Sequence, residues 1–201
     1  MKLKYLPIIT TQLLFWVIGR FMFSFFYSTE HNFSKLKFDK DKKYIFISNH
    51  PSKSDPFLIG AYLPFSQIIK ILPMRFMTTP KYMKKYHLTL FLKLFGCITT
   101  EKGTKYNVLD KSVKLLDDGN TIVIFPTGKL ERNDKLRKPR VGAIYLHKKS
   151  YNSELVLFSI KIKEKIGLRN KLFLNLVGFE TINVFNEVLE PIKDEIYNKI
   201  N

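Results

Sequence analysis

The chain has 201 residues, enough for one ordinary domain with a sizeable core and too few for a multidomain enzyme. Apolar residues at 45% and charged residues at 25% exclude a disordered tail or a low-complexity polymer. Thirty-four Lys and Arg against 17 Asp and Glu leave a net +17 beside 18 Phe and 10 Tyr, so the expected partner carries phosphate, as nucleic acid or an anionic membrane does. The lone Cys97 excludes an internal disulfide framework and a cysteine zinc site and fits a reducing compartment.

The first element is the apolar run Tyr5–Tyr27, whose only formal charge is Arg20. Roughly 20 apolar residues suffice to span a bilayer, but a cation near mid-membrane costs about 3 kcal/mol unless it reaches an interface. Residues 1–30 are therefore expected to form a hydrophobic membrane anchor, tilted, re-entrant or lying in the interface. A spanning or cleaved segment and a buried core helix are the alternatives. Lys2 and Lys4 precede the run as in a signal peptide, yet no small-x-small cleavage site follows cleanly.

Residues 31–201 alternate short β-rich runs with helical patterns. Lys43–Ser48 reads as a strand, Ser54–Leu63 as a helix, Gln67–Leu72 as a strand, and Lys81–Phe95 as a basic, aromatic helix that is either interfacial or a core helix with solvated lysines. Cys97–Thr100 looks extended. Lys105–Leu116 has an apolar face at helical spacing, and Asp117-Asp118-Gly119 ends it. Thr121–Phe125 is a continuous apolar run, as in a strand buried on both faces. Lys129–Lys149 reads as a basic loop, Leu155–Ile162 and Leu172–Val177 as strands around a polar turn at Lys163–Asn170, and Val184–Asn201 as a packing helix despite Pro191. The alternation predicts an α/β domain with a mostly parallel central sheet flanked by helices, behind an N-terminal membrane-associating helix.

Candidate chemistry starts where the first of these strands ends, at Asn49-His50-Pro51-Ser52-Lys53-Ser54-Asp55-Pro56. A strand running into Asn-His-Pro places the imidazole at the carboxyl edge of the sheet, where α/β domains gather their ligands. Pro51 bends the chain and Pro56 suits the first turn of a helix, so Asp55 can fold back toward His50. An Asp that accepts from one ring nitrogen fixes the tautomer and raises the basicity of the other, which makes His50 a general base for a hydroxyl. The plain alternative makes Asn49 and Asp55 turn and N-cap residues and His50 an incidental loop histidine.

His50 to Asp55, after a β-rich run, resembles the His-x4-Asp motif of the glycerol-phosphate and lysophosphatidic acid acyltransferases. Phe95-Gly96-Cys97-Ile98-Thr99-Thr100-Glu101-Lys102 is similar to that family's second block, with Lys102 where Arg is usual. Phe125-Pro126-Thr127-Gly128-Lys129-Leu130-Glu131 resembles the third, Phe-Pro-Glu-Gly-Thr-Arg-Ser, with Thr127 in place of its Glu and Leu130 in place of its Arg. Arg140-Val141-Gly142-Ala143 is similar to the basic-x-Gly-Ala segment that follows. The order of the blocks carries the resemblance from about Lys43 to Ile162.

The resemblance implies acyl transfer from acyl-CoA or acyl carrier protein, as co-substrate, to a hydroxyl of a glycerol-phosphate lipid, with 1-acylglycerol 3-phosphate the leading acceptor. It implies His50 and Asp55 as the catalytic pair and neither metal nor further cofactor. Lys102, Thr127, Gly128, Lys129, Arg132 and Arg140 become candidates for substrate binding, since a phosphate dianion needs convergent cations; as a solvated basic loop they would do nothing of the kind. Backbone N–H groups near Gly128 or after Pro56 are candidate oxyanion donors. The expected partners are acyl donor, lysophospholipid or glycerol-phosphate acceptor and anionic lipid at the cytoplasmic face of a membrane. Other readings are a different lipid or sugar acceptor, or a membrane-bound relative without activity. No nucleic acid is expected, because no RNP-like segment, zinc spacing or helix-turn-helix accompanies the charge. His31, His87 and His147 are expected at the surface and Cys97 inside.

Overall fold

A computed structural model describes residues 3–33, 36–84, 86–99, 105–131, 138–150, 152–166, 169–180 and 189–201. In chain order the elements are α1 (Leu6–Phe26), β1 (Tyr27–His31), β2 (Lys43–Ser48), α2 (Asp55–Tyr62), α3 (Phe65–Ile71), β3 (Met74–Thr78), α4 (Pro80–Met83), α5 (Tyr86–Leu94), β4 (Cys97–Thr99), α6 (Lys105–Asp117), β5 (Thr121–Ile124), α7 (Gly142–Lys149), β6 (Ser153–Ile166), β7 (Arg169–Glu180) and α8 (Leu189–Ile200). The strands form one sheet in the order β1-β7-β6-β2-β5-β3-β4. From β6 to β4 every pair is parallel. β7 runs antiparallel to β6, and β1 parallel to β7.

The period of two in the central strands divides the core. Tyr44, Phe46, Val123, Val156 and Phe158 face one side of the sheet, under the helices that precede β4. Ile45, Ile47, Ile122, Ile124, Leu155 and Leu157 face the other side, against α6, α7 and α8. Strands buried on both faces read as unbroken apolar runs, which is why β2 and β5 are plain in the sequence.

α1 is part of this architecture. At its start the Tyr5 hydroxyl donates to Asp118 Oδ2 (2.6 Å) beside the amino edge of β5. Over about 31 Å it crosses the face to the carboxyl edge, where Tyr27 pairs with Asn170 at the start of β7. Its packed side is pinned by Gln12, 5% exposed, whose Nε2 donates to the carbonyls of Met74 (2.7 Å) and Phe95 (2.8 Å) and whose Oε1 accepts from Met74 N–H (3.0 Å). Trp16 Nε1 donates to Leu63 O (2.8 Å). The opposite side leaves Leu14, Val17, Ile18, Phe21, Met22 and Phe25 exposed. The boundary expected after residue 30 falls inside β1.

Several local expectations are corrected. Gln67–Leu72 is not a strand: α3 occupies it, burying Ile68 and Ile71 one turn apart, and the strand is β3 just downstream, where Arg75 interrupts the apolar pattern. Lys81–Phe95 divides into α4 and α5. The end of the expected basic loop is α7. Pro191 falls in the first turn of α8, where a missing N–H costs nothing.

Candidate active site

β2 and β5 are neighbours, with Ile47 opposite Ile124, so the residues that follow each strand meet at the carboxyl edge. Asn49 makes the exit from β2. Its side-chain amide donates to Ile160 O (2.9 Å) and accepts from Ile160 N–H (2.7 Å), carrying the β2–β6 ladder one step past the last backbone pair, Ser48 with Phe158. The main chain is thereby free to turn, and His50 projects from the edge.

His50 Nδ1 lies 2.8 Å from Asp55 Oδ2. Asp55 is fully buried in the first turn of α2, and the same Oδ2 accepts from Ser52 N–H (2.8 Å). Burial pushes the Asp55 carboxyl up; the bonds from His50 and Ser52 act against that, and the nearby charge of Glu131 adds to it. With the carboxylate ionised, only the Nδ1–H tautomer satisfies the contact, so Nε2 keeps its lone pair. The imidazole is stacked on Phe125, with ring centroids 4.1 Å apart and planes at 18°. Hydrogen bond and stacking together fix the direction of Nε2. Asp55 Oδ1 is buried without a partner among the described residues, the kind of unmet polar group that functional sites retain.

The loop after β5 closes over this pair. Gly128, at φ +63°, completes a turn in which its N–H donates to Phe125 O (2.9 Å). Thr127 is buried, with its hydroxyl 2.9 Å from both Lys129 O and Glu131 Oε1. Glu131 N–H donates to His50 O (2.8 Å) and Arg140 N–H to Pro126 O (3.0 Å), which ties both ends of the loop to the catalytic edge. Lys129 and Arg140 are exposed there, and the Arg140 guanidinium lies 3.7 Å from the place a side chain on Gly128 would take.

His50, Asp55, Thr127, Gly128, Lys129 and Arg140 are thus brought to one edge. Lys102 and Arg132 lie outside the described residues. Two expected oxyanion donors are already engaged: the Gly128 N–H as above, and Phe57 N–H, which donates to Ser54 O (2.9 Å). Reading the sequence did not anticipate Asn49 as the bridge to β6, Phe125 as the platform under the imidazole or Ser52 N–H as the second donor to Asp55. A strand-exit Asn and an aromatic at the end of the neighbouring strand were the available signals. His147 is buried rather than at the surface, with Nδ1 3.0 Å from Ser153 Oγ; His31 is exposed and stacks on Phe33. The side chain of His87 lies outside the described residues. Burial pushes the Cys97 thiol up to about 12, which leaves it un-ionised and unreactive at neutral pH.

A family model named Acyltransferase matches residues 25–162, from the end of α1 into β6, and takes in the whole of this edge. The chain belongs to the acyltransferase family. The acyltransferase also superposes on the crystal structure of the 1-acyl-sn-glycerophosphate (LPA) acyltransferase PlsC from Thermotoga maritima, with a TM-score of 0.66 and 15% identity over 96% of this chain and 76% of that one. At that identity the likeness is one of fold: a mostly parallel sheet flanked by helices, with an N-terminal apolar helix. No curated protein matches this acyltransferase.

Proposed function

We propose that this acyltransferase moves a fatty acyl group from acyl-CoA or acyl carrier protein to a hydroxyl of a glycerol-phosphate acceptor, at the cytoplasmic face of a membrane. The 2.8 Å contact between His50 Nδ1 and Asp55 carries the reading, because it leaves Nε2 as a directed proton acceptor. The acceptor hydroxyl oxygen attacks the thioester carbonyl while its proton passes to His50 Nε2, and Asp55 stabilises the imidazolium. The C–O bond forms and the C–S bond breaks; the leaving thiolate takes the proton from the imidazolium, so the enzyme returns to its starting state without an acyl intermediate. Lys129 and Arg140 supply positive charge for an acceptor phosphate.

The membrane reading rests on α1. Leu3–Phe26 is long and apolar enough to cross a bilayer, yet Gln12 and Trp16 bind one side of α1 to the domain. The side bearing Val17, Ile18, Phe21 and Phe25 is what remains to enter lipid, and an apolar helix face lying in the interface fits this better than a free span. Arg20 is exposed, its guanidinium 5.5 Å from the Trp16 ring, on a flank from which it reaches headgroups. The anionic leaflet that attracts a chain of net +17 is the cytoplasmic one.

A different acceptor is the second reading, favoured by Thr127 standing where the resemblance expects a carboxylate. The deciding measurement is product identification by mass spectrometry, with defined acyl-CoA and acyl carrier protein donors against glycerol 3-phosphate and lysolipids. His50→Ala is expected to lower transfer about 10²- to 10⁴-fold; undiminished transfer by that variant overturns the proposed base.

A further inference from the structure

Charge is divided between the two sides of the sheet. Residues 1–29 and 56–100 contain no Asp or Glu, so that α1 to α5 carry a single carboxylate, Asp55, and it is buried. On the other side α6 and α8 hold Asp110, Asp117, Glu190, Asp194 and Glu195. The cations Lys70, Lys81, Lys84 and Lys93, which belong to the carboxylate-free stretch, are exposed. The same side exposes apolar side chains, and not on α1 alone. Phe65 and Ile69, four residues apart on α3, are half exposed, although Ile68 and Ile71 of that helix are buried. On α5 Tyr86 and Leu90, again four apart, are 95% and 67% exposed.

Ring contacts place these pairs beside α1. On one flank Trp16 lies against Phe65, with centroids 5.2 Å apart. On the other flank Phe15 lies against Phe95 (5.2 Å), which stacks on Phe91 of α5 (5.7 Å). The exposed apolar face is therefore continuous across three helices, and a patch of that extent rimmed by polar residues marks an interaction surface. Its chemistry selects the partner. A second copy of the chain would set cations against cations. A nucleic acid would leave Ile69 and Leu90 in water. An anionic leaflet satisfies both features, since its acyl boundary takes the aromatic and aliphatic side chains and its headgroup phosphates take the lysines. We propose that α3 and α5 enter the same anionic leaflet as α1, with Phe65 and Ile69 on one flank and Tyr86 and Leu90 on the other, so that the enzyme rests on the membrane by three helices. Held on both flanks, α1 does not roll about its own axis in the interface, and the catalytic edge keeps one height above the lipid. The proposal rests on the membrane reading of α1 above and enlarges its contact.

The test measures partition of the purified full chain onto vesicles by co-sedimentation, comparing mixed phosphatidylglycerol and phosphatidylcholine with phosphatidylcholine alone. Wild type is expected to bind the anionic vesicles at least about tenfold more tightly. Phe65→Ser with Ile69→Ser, and separately Tyr86→Ser with Leu90→Ser, are each expected to weaken that binding about 10- to 100-fold. Without vesicles, their thermal unfolding is expected within about 3 °C of wild type, as for exposed positions. Phe65→Leu and Leu90→Phe, which keep the apolar character, are expected to bind as wild type does. A serine pair that binds as wild type does overturns the three-helix face and leaves α1 as the membrane contact. A loss of binding matched by a loss of thermal stability, repeated in the single variants Ile69→Ser and Leu90→Ser, marks a packing role and overturns it too. Equal wild-type binding to both kinds of vesicle overturns the anionic partner. No wild-type binding to either overturns the membrane reading of α1 as well.

Discussion

The two edges of the sheet each bury a charge, and they treat it in opposite ways. At the amino edge Arg75, 6% exposed, donates through Nε to Asn120 Oδ1 (2.8 Å) and packs on Tyr5 at 4.8 Å, while Asn120 donates to Leu115 O (2.8 Å) and Tyr5 to Asp118. At the carboxyl edge Asp55 satisfies one oxygen and, among the described residues, leaves the other unpartnered, next to a His50 whose Nδ1 it holds and whose Nε2 keeps its lone pair. Burial pushes the Arg75 guanidinium down and the Asp55 carboxyl up, one cause acting on opposite charges. The amino edge closes its polar atoms into structure, and the carboxyl edge keeps polar capacity in reserve. A buried charge therefore marks a working site only when some of its capacity, or that of its partner, is left over.

Removing the Asp55 charge is the strongest way to break the contrast. Asp55→Asn is expected to lower kcat about 10³- to 10⁴-fold, because the amide neither fixes the Nδ1–H tautomer nor stabilises the imidazolium. The stability effect has a pH signature. The folded carboxyl titrates above its unfolded value, so protonation favours the folded wild type, and that advantage is complete below about pH 4 and lost as pH rises through the folded value. Thermal unfolding from pH 4 upward should therefore move the stability difference steadily in favour of Asp55→Asn. A difference that does not change over this range removes burial as the cause.

The amino edge is expected to respond in stability and not in rate. Gly96, at φ +89°, stands just before β4, and a methyl group on it would lie 2.5 Å from Met74 O and 3.0 Å from Gln12 Nε2. Gly96→Ala combines the cost of a left-handed conformation with displacement of the Gln12 bonds that hold α1, a loss of about 3 kcal/mol. Denaturant unfolding reads that loss. Turnover per folded molecule should match wild type, and a fall in kcat without a fall in stability would erase the division between the edges.

The same contrast explains what could be seen before the structure. β2, β5 and the Asn-His-Pro exit were legible because a strand buried on both faces is a continuous apolar run, and a proline breaks it in one place. The His50–Asp55 pair was legible because sequence-local residues make it. β1 was invisible, since Tyr27–His31 has one outer partner and no apolar alternation; only the backbone of β7 makes it a strand. β3 was misplaced because its buried Arg75 depends on Asn120 and Tyr5, both far away in the chain. Gln12 marked α1 as a packed helix, but a lone amide in an apolar run acquires that meaning only when Met74 and Phe95 are known to lie opposite. Thr127 and Glu131, read singly, departed from an expected block; placed together, they put a carboxylate four residues further along the loop.

The smallest expected effect is the sharpest test of openness. Gly128 also has a positive φ, +63°, but among the described residues a methyl group on it meets only the Arg140 guanidinium, at 3.7 Å, an ordinary contact. Gly128→Ala is therefore expected to cost about 1 kcal/mol, the conformational penalty alone, against three times that for Gly96→Ala. If the gap below Arg140 receives the acceptor, the added methyl group fills space that a ligand uses, and the acceptor KM rises several-fold while the donor KM and kcat hold. The two alanines then dissociate cleanly: one loses stability and keeps its kinetics, the other keeps most of its stability and loses acceptor affinity. An unchanged acceptor KM in Gly128→Ala would remove Gly128 and Arg140 from the acceptor site and leave Lys129 to supply the charge for an acceptor phosphate beside the His50–Asp55 pair.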